Sequence, residues 1–334
     1  MTDTEELALL RSTAFEIFTA GRDLPVGQFW TQLAEYGMSL IGIDEAAGGN
    51  GGSFGEFGVL LTESGRAALP APLLETHLAA RLLARTGQSI PSGPMAVVLG
   101  DGLAVGADGA ISGGANDVAW GRDAETVVAV ADGGLIAAAG ADCEWRPGVN
   151  IAGEPRDRLD AVRSAAVTPL DAGVLEVVRL VALLGRSIQL QGAAERALEQ
   201  TIEFVGQREQ FGRPLAKLQA VQQSVASMAA ITAAGAAALG GAIAVFDPTA
   251  DGIETAEFAV LAAAAQTKRT ALAVYRTAHQ LHGTIGFTDE HSLHRVTTRL
   301  MSWRSEAPTV SSINERLGTL AFQHGDAWSL VSGH

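Results

Sequence analysis

Arg208-Glu209-Gln210-Phe211-Gly212-Arg213-Pro214, leading on to Gln219, joins two long stretches whose apolar residues recur at helical spacing. Phe-Gly-x-Pro reads as a turn, with Pro214 opening the helix that follows. Arg208 then stands at the end of one helix, and Gln219 faces back from the start of the next. Taken singly, Arg208 is a solvated helix end and Phe211 a core plug in a loop. Taken as a set, they form a polar niche suited to a pyrophosphate. Further on, Gln280-Leu281-His282-Gly283-Thr284-Ile285-Gly286-Phe287-Thr288 supplies a second, glycine-rich helix end. Gln280 with the backbone of His282–Thr284 makes a second niche there.

The helical pattern around these stretches runs from Asp171 almost to the end of the chain. Val174, Val178, Val181, Leu184 and Ile188 fall on one face of its first helix. Asp247-Pro248-Thr249 and the region of Gly252 separate the second helix from a third that begins near Glu254. Upstream, between Ala96 and Val167, short β-type runs (Ala96–Leu99, Thr126–Val130, Leu135–Ala139) alternate with Asp-Gly, Gly-Gly and Pro-Gly pairs, which are turn signals. They predict a small antiparallel β unit. From Glu5 to Gln88 the pattern is helical again, with apolar residues at helical spacing in Phe29–Met38 and Phe57–Leu61. Ser53 is placed to cap the helix after Gly48–Gly52, and Pro70-Ala71-Pro72 introduces another helix, Leu73–Ala84. The expected fold is mainly α with a small central β domain. Its parts are an N-terminal helical domain over 1–92, the β domain over 93–168 and a C-terminal helical bundle over 169–334.

The chain of 334 residues is 47% apolar, ample for a sizeable core, and carries a net charge of −14. That charge argues against an exposed nucleic-acid surface, because phosphate binding rests mainly on Lys and Arg. It leaves room for a phosphorylated cofactor, which a few arginines serve locally. A single cysteine, Cys143, excludes an internal disulfide framework and fits a reducing compartment. Met1–Leu10 is acidic and lacks the basic and apolar regions of a signal peptide. The apolar stretch Ser227–Phe246 is dominated by Ala and Gly, and reads as a close-packed helix rather than a lipid-facing span. A cytoplasmic protein with neither a nucleic acid nor a membrane as partner is expected.

Other motifs yield no chemistry. Gly48–Ser53 lacks the Lys-Ser/Thr ending of a P-loop and the preceding strand of a Rossmann fingerprint, so it reads as a tight turn between helices. His279, His282, His291 and His294, with Glu290, repeat a His-x-x-His spacing that raises the question of a metal. Gly283 and Gly286 break the helix between the pairs, and no second carboxylate lies at useful spacing, so no metal site is expected. No Gly-x-Ser-x-Gly elbow is present, and Cys143 has no partner in view.

Leu33–Arg66, Arg196–Met228 and Gln280–Arg299 together resemble the acyl-CoA dehydrogenase family, with little likeness across the β unit. The resemblance implies an N-terminal helical domain, a central β domain and a C-terminal four-helix bundle around FAD, with one subunit's bundle completing its neighbour's flavin site. Carried onto this chain, Arg208, Phe211 and Gln219 would contact the pyrophosphate and adenine side of FAD. Gln280, His282, Gly283 and Thr284 would form a second strip, and Thr309 would lie near the flavin. The implied reaction is α,β-desaturation of an acyl-CoA thioester, in which a glutamate removes the α proton while hydride leaves the β carbon for the flavin. An electron-transfer flavoprotein would be the acceptor.

The two positions where the family places that glutamate fall on Ala182, counting back from Arg208, and on Ala307, counting on from Gln280. Neither alanine takes a proton. Glu306 is one residue away, but a one-residue slip on a helix turns a side chain by about 100°. The family's Thr-Glu-Pro phrase has no counterpart between Ala96 and Ala141. In these respects the chain resembles the shorter, non-catalytic subunits of actinobacterial α2β2 acyl-CoA dehydrogenases, which act on CoA esters of steroid side chains. The phrase Gly286–His294 is close to what that branch carries. The resemblance thus implies a longer partner subunit that brings the glutamate; the alternatives are a homotetramer using Glu306 and a non-enzymatic scaffold.

Overall fold

The computed structural model describes residues 3–100, 102–106, 111–131, 134–163, 165–210, 212–247, 254–288 and 290–324. The helices are α1 (Asp3–Gly21), α2 (Val26–Glu35), α3 (Phe54–Ala67), α4 (Leu73–Arg85), α5 (Ala172–Gln207), α6 (Gln219–Val245), α7 (Glu254–His282), α8 (Leu293–Ser305) and α9 (Val310–His324). Between α4 and α5 come strands β1 (Met95–Val98), β2 (Leu103–Val105), β3 (Ile111–Gly113), β4 (Ala115–Ala119), β5 (Thr126–Ala131), β6 (Gly134–Ala139), β7 (Cys143–Arg146), β8 (Arg156–Val162) and β9 (Ala166–Pro169). The order of helices, then strands, then helices is the predicted one. By contacts the chain forms two compact units, one of residues 1–10, 20–59 and 70–182, the other of 11–19, 60–69 and 183–334.

In the first unit, α2, α4, the start of α3 and the β elements share one body. α2 buries Phe29, Trp30 and Leu33, and the Trp30 indole donates to the Ser92 carbonyl at 2.9 Å. α3 starts on a reciprocal capping box: the Glu56 N–H donates to Ser53 Oγ at 3.2 Å, and the Ser53 N–H donates to Glu56 Oε2 at 2.6 Å. α4 begins after Pro72, and its Thr76 hydroxyl accepts the Met95 N–H at 2.9 Å, tying helix to strand. His77, fully buried on α4, stacks on Phe57 with ring centroids 3.7 Å apart.

The strands make a four-stranded sheet β1-β5-β6-β9, a three-stranded sheet β4-β8-β7 and the pair β2-β3. One pairing departs from the antiparallel expectation, because β1 runs parallel to β5, Met95 opposite Thr126. Turn-rich sequence between strands suggests hairpins, but the excursion through β2, β3 and β4 gives the chain length enough to return in the same direction. The two larger sheets enclose Val98, Val127, Ala129, Ile136, Cys143 and Leu159. Burial raises the Cys143 thiol to about 11, which makes it an inert core residue.

In the second unit, α5 to α8 form a helical bundle with α9 packed on α7. Its core contains Leu190, Ala193, Ala194 and Ala197 of α5, Met228 of α6, Ala271, Val274 and Ala278 of α7, and Leu293, Val296, Leu300 and Trp303 of α8. The small residues let helices approach closely. A Cβ on Gly192 would stand 2.1 Å from the Thr62 carbonyl oxygen, and one on Gly65 would stand 2.2 Å from that of Gln189. Arg66 secures the same junction, reaching Glu63 at 3.0 Å and Glu199 at 2.8 Å. α6 packs closely along α7. Only 28% of its most apolar stretch is buried, and it is the one helix among the described residues long and apolar enough to cross a membrane.

Candidate functional site

Three helix termini meet at one end of the bundle. α5 ends at Gln207, and the Arg208 N–H closes its last turn on the Phe204 carbonyl at 2.9 Å. The chain then makes a two-residue ladder, Glu209–Gln210 (β10) against Arg213–Pro214 (β11), with Gly212 at φ +74°. The Leu215 N–H donates back to the Arg208 carbonyl at 2.8 Å, which closes the loop. Pro214 does not open a helix as the sequence suggested. It belongs to the ladder and is followed by a 3-10 turn over Leu215–Lys217, so α6 begins at Gln219. A two-stranded ladder satisfies backbone groups that a helix would otherwise take up. Phe211 lies outside the described residues.

α7 ends at His282, and Gly283 turns away at φ +62°, with open space where a Cβ would stand. A 3-10 turn, Gly283–Phe287, completes the strip. The rings beneath it are histidine-rich. His282 stacks on Phe204 at 4.2 Å between centroids and meets His291 edge-on at 4.7 Å. His279 stacks on Phe287 at 4.0 Å.

Hydrogen bonds fix the tautomers of both α7 histidines. His282 Nδ1 lies 2.8 Å from the Ala278 carbonyl, so it carries the proton and leaves Nε2 as a bare, buried acceptor. The Thr297 hydroxyl donates to the Leu293 carbonyl, so His279 Nε2, 2.9 Å from that hydroxyl, is its donor. His279 Nδ1 is then likewise bare and buried. Burial lowers the pKa of His279, His282 and His291. The His279 and His282 rings thus each stack on a phenylalanine and keep one nitrogen without a hydrogen-bond partner. Among the described residues no group of three His, Cys, Asp or Glu side chains is placed to hold a metal ion.

Above this layer, Arg208, Gln219, Gln280, Gly283 and Thr284 are exposed. No hydrogen bond or ion pair engages the side chains of Arg208, Gln219, Gln280 or Thr284 among the described residues. Arg208 and Gln219 stand at either end of the loop between α5 and α6, and Gln280 and Thr284 flank Gly283 at the end of α7. A guanidinium, which only donates, with carboxamide N–H and hydroxyl donors suits the phosphates of a nucleotide, so the residues present fit FAD.

Thr309 and Glu306 are not part of this cluster. α8 runs back along α7, so its end lies beside Lys268, about 20 Å along the helix axis from His282 by helical rise. Thr309 is exposed and caps α9, its hydroxyl accepting the Ser312 N–H at 3.2 Å. Glu306 follows the last residue of α8 in extended conformation, so the helical-slip geometry assumed from sequence does not apply to it. Its Oε2 accepts from Arg186 Nε at 2.8 Å. Arg186 also donates to Gln189 Oε1 and lies over the Trp303 ring at 5.3 Å.

Sequence reasoning missed Arg186, Gln189 and Lys268. The one available signal was Lys268 itself, a charged residue in register with Ala264 and Ala271 on a helix face that proves fully buried.

Residues 183–305 match the family model described as acyl-CoA dehydrogenase, C-terminal domain. Acyl-CoA dehydrogenase IpdE2 of Mycobacterium tuberculosis (strain ATCC 25618 / H37Rv) is 33% identical over 273 residues, covering 79% of this chain and 77% of that protein. IpdE2 of Mycolicibacterium smegmatis is 28% identical over 316 residues, covering 87% and 90%. Among solved structures, the Tcur3481-Tcur3483 steroid ACAD G363A variant superposes with a TM-score of 0.84 at 26% identity, covering 96% of this chain and 99% of that one. The ChsE4-ChsE5 complex from Mycobacterium tuberculosis superposes with a TM-score of 0.83 at 22% identity, covering 95% and 97%.

Proposed function

The chain belongs to the acyl-CoA dehydrogenase family, and on that premise we propose that it is the non-catalytic subunit of a heteromeric, FAD-dependent acyl-CoA dehydrogenase. The observation that carries this reading is the state of the two base positions. Ala182 and Ala307 stand where the family has its glutamate, and the adjacent Glu306 carboxylate is committed to Arg186. A base has to present an unprotonated, free carboxylate to the α carbon, and an arginine-paired one is poorly suited to that. The partner, a longer acyl-CoA dehydrogenase subunit in an α2β2 assembly, supplies the glutamate.

FAD, when bound, supplies the hydride acceptor. This chain's own contribution is to hold the nucleotide: Arg208, Gln219 and Phe211 toward the pyrophosphate and adenine, Gln280, His282, Gly283 and Thr284 as the second strip, and Thr309 nearer the flavin. α6 supports the need for a partner. It carries no charged residue over Gln219–Val245, yet Ala226, Ala230, Ala233, Ala237, Gly240 and Ala244 are exposed in the single chain. A chargeless helix of this length is suited to burial against another subunit. The substrate class we assign is a CoA ester of a steroid side chain, supported by the steroid ACAD and ChsE4-ChsE5 relatives, and the acceptor an electron-transfer flavoprotein.

Expression with and without the partner tests the reading. Flavin retained only on co-expression with a longer acyl-CoA dehydrogenase subunit supports it. A homo-oligomer that purifies yellow and bleaches with an acyl-CoA overturns it in favour of a self-sufficient enzyme. Absence of flavin in every pairing leaves a scaffold.

A further inference from the structure

We infer that Lys268 is a positioning residue: from the middle of α7 it fixes the turn between α8 and α9, and with it the placement of Ala307 and Thr309. The inference deepens the function proposed above and rests on it for the role of the turn, though not for the contact itself.

Lys268 is 2% exposed, and its ammonium donates to the carbonyl oxygens of Arg304 at 3.1 Å and Glu306 at 2.7 Å. Both carbonyls belong to the end of α8, where a helix leaves its last acceptors without intrahelical donors and carries partial negative charge. The contact is reciprocal, since Arg304 Nε donates to the Lys268 carbonyl at 3.1 Å. On the other side, Arg186 of α5 grips the Glu306 carboxylate and donates to Gln189, whose amide donates to Ser64 Oγ at 3.1 Å. The turn is therefore held from α7 through its backbone and from α5 through its side chain.

A buried ammonium is a costly way to cap a helix, and a plain surface cap would stabilise α8 as well. What the buried lysine adds is a fixed origin. The next residues after Glu306 are Ala307, at the family's vacant base position, and Thr309, which caps α9. Burial, opposed by the Glu306 carboxylate and aided by Arg304 and Arg186, brings the Lys268 ammonium down to about 8. These are the charged groups that act on it; α6 has none, and Arg316 of α9 is paired with Glu257. Opening the turn would return Lys268 to water and raise its pKa. Opening therefore becomes less favourable as pH rises above about 8.

The test combines Lys268→Met with hydrogen–deuterium exchange of the full chain, rates corrected for intrinsic pH dependence. The substitution should raise exchange over residues 305–312 about tenfold or more, with peptides of α6 unchanged. In the unsubstituted chain, protection of that segment should grow between pH 8 and 10, and in Lys268→Met this growth should vanish. Wild-type-like exchange in the variant, or the same pH trend in both, overturns the inference, as does uniform loosening of the whole bundle. In the co-expressed complex the variant should lower flavin affinity about tenfold, and unchanged affinity overturns the role of the turn. If no pairing binds flavin, the proposed function falls, and the clamp is decided by exchange alone.

Discussion

Arg186 and Glu306, far apart in sequence, meet at 2.8 Å, Arg186 four residues after Ala182 on α5 and Glu306 immediately before Ala307. The Glu306 carboxylate is thus in use as an anchor. Trp303 beneath the guanidinium and Gln189 beside it hold Arg186 in place. On the function proposed above, this pair puts an acid beside the late base position to structural use.

Glu306→Gln should leave turnover of the assembled complex within about twofold of wild type, because in the function proposed above the base comes from the partner. A loss of several orders of magnitude would identify Glu306 as the base instead. Paired with Arg186→Met in a double-mutant cycle of denaturant unfolding, it should show a coupling of about 1 kcal/mol, since both groups are largely but not wholly shielded.

Arg208→Ala should change stability by no more than about 0.5 kcal/mol, because the side chain is exposed and unpaired in this chain. Flavin retention by the complex should weaken by on the order of 1.5–3 kcal/mol, the value of a charge-assisted contact to phosphate. Flavin-to-protein absorbance of the purified complex is the measurement, and an unchanged ratio removes Arg208 from the site.

Acidification should destabilise the fold near pH 6. Burial, with the charge of Arg81, holds His77 well below the ordinary histidine value, and burial also lowers His279, His282 and His291, the last partly restored by Glu203. Each is depressed in the folded state, so the unfolded chain takes up protons first. Their stabilising contribution is present above about pH 6.5 and is lost as pH falls through it. Melting temperature followed from pH 8 to 5 should fall, and His77→Gln should flatten that fall; identical slopes would rule His77 out as a contributor.

Gly192→Ala should destabilise the chain by about 3 kcal/mol or more, because the added methyl meets the Thr62 carbonyl at a helix crossing with no flexible side chain to yield. Gly206→Ala, where nothing stands within reach of a Cβ, is the control and should be neutral or slightly stabilising. Urea midpoints of the two variants compare them directly.

Local signals carried a good part of the fold. Ser53 ahead of Glu56 announced its capping box, and Pro72 and Glu254 mark helix starts where the pattern put them. The runs at Thr126 and Leu135 became paired strands. Pro214 misled because φ alone suits both a first helical turn and an extended ladder residue. The parallel partnership of β1 with β5 was invisible because strand direction depends on the path between strands, not on either strand's residues.

Sequence by itself determined the family, and it supplied the register that assigns Ala182 and Ala307 to the base positions in the function proposed above, since residue identity and spacing survive without coordinates. It also determined that polar residues gather at the ends of α5, α6 and α7, because helical period and glycine breaks are local properties. Only the tertiary structure decided what Glu306 and Lys268 do. Their partners lie on other helices, and whether a charge is buried, paired or free depends on which chain segments fold against it.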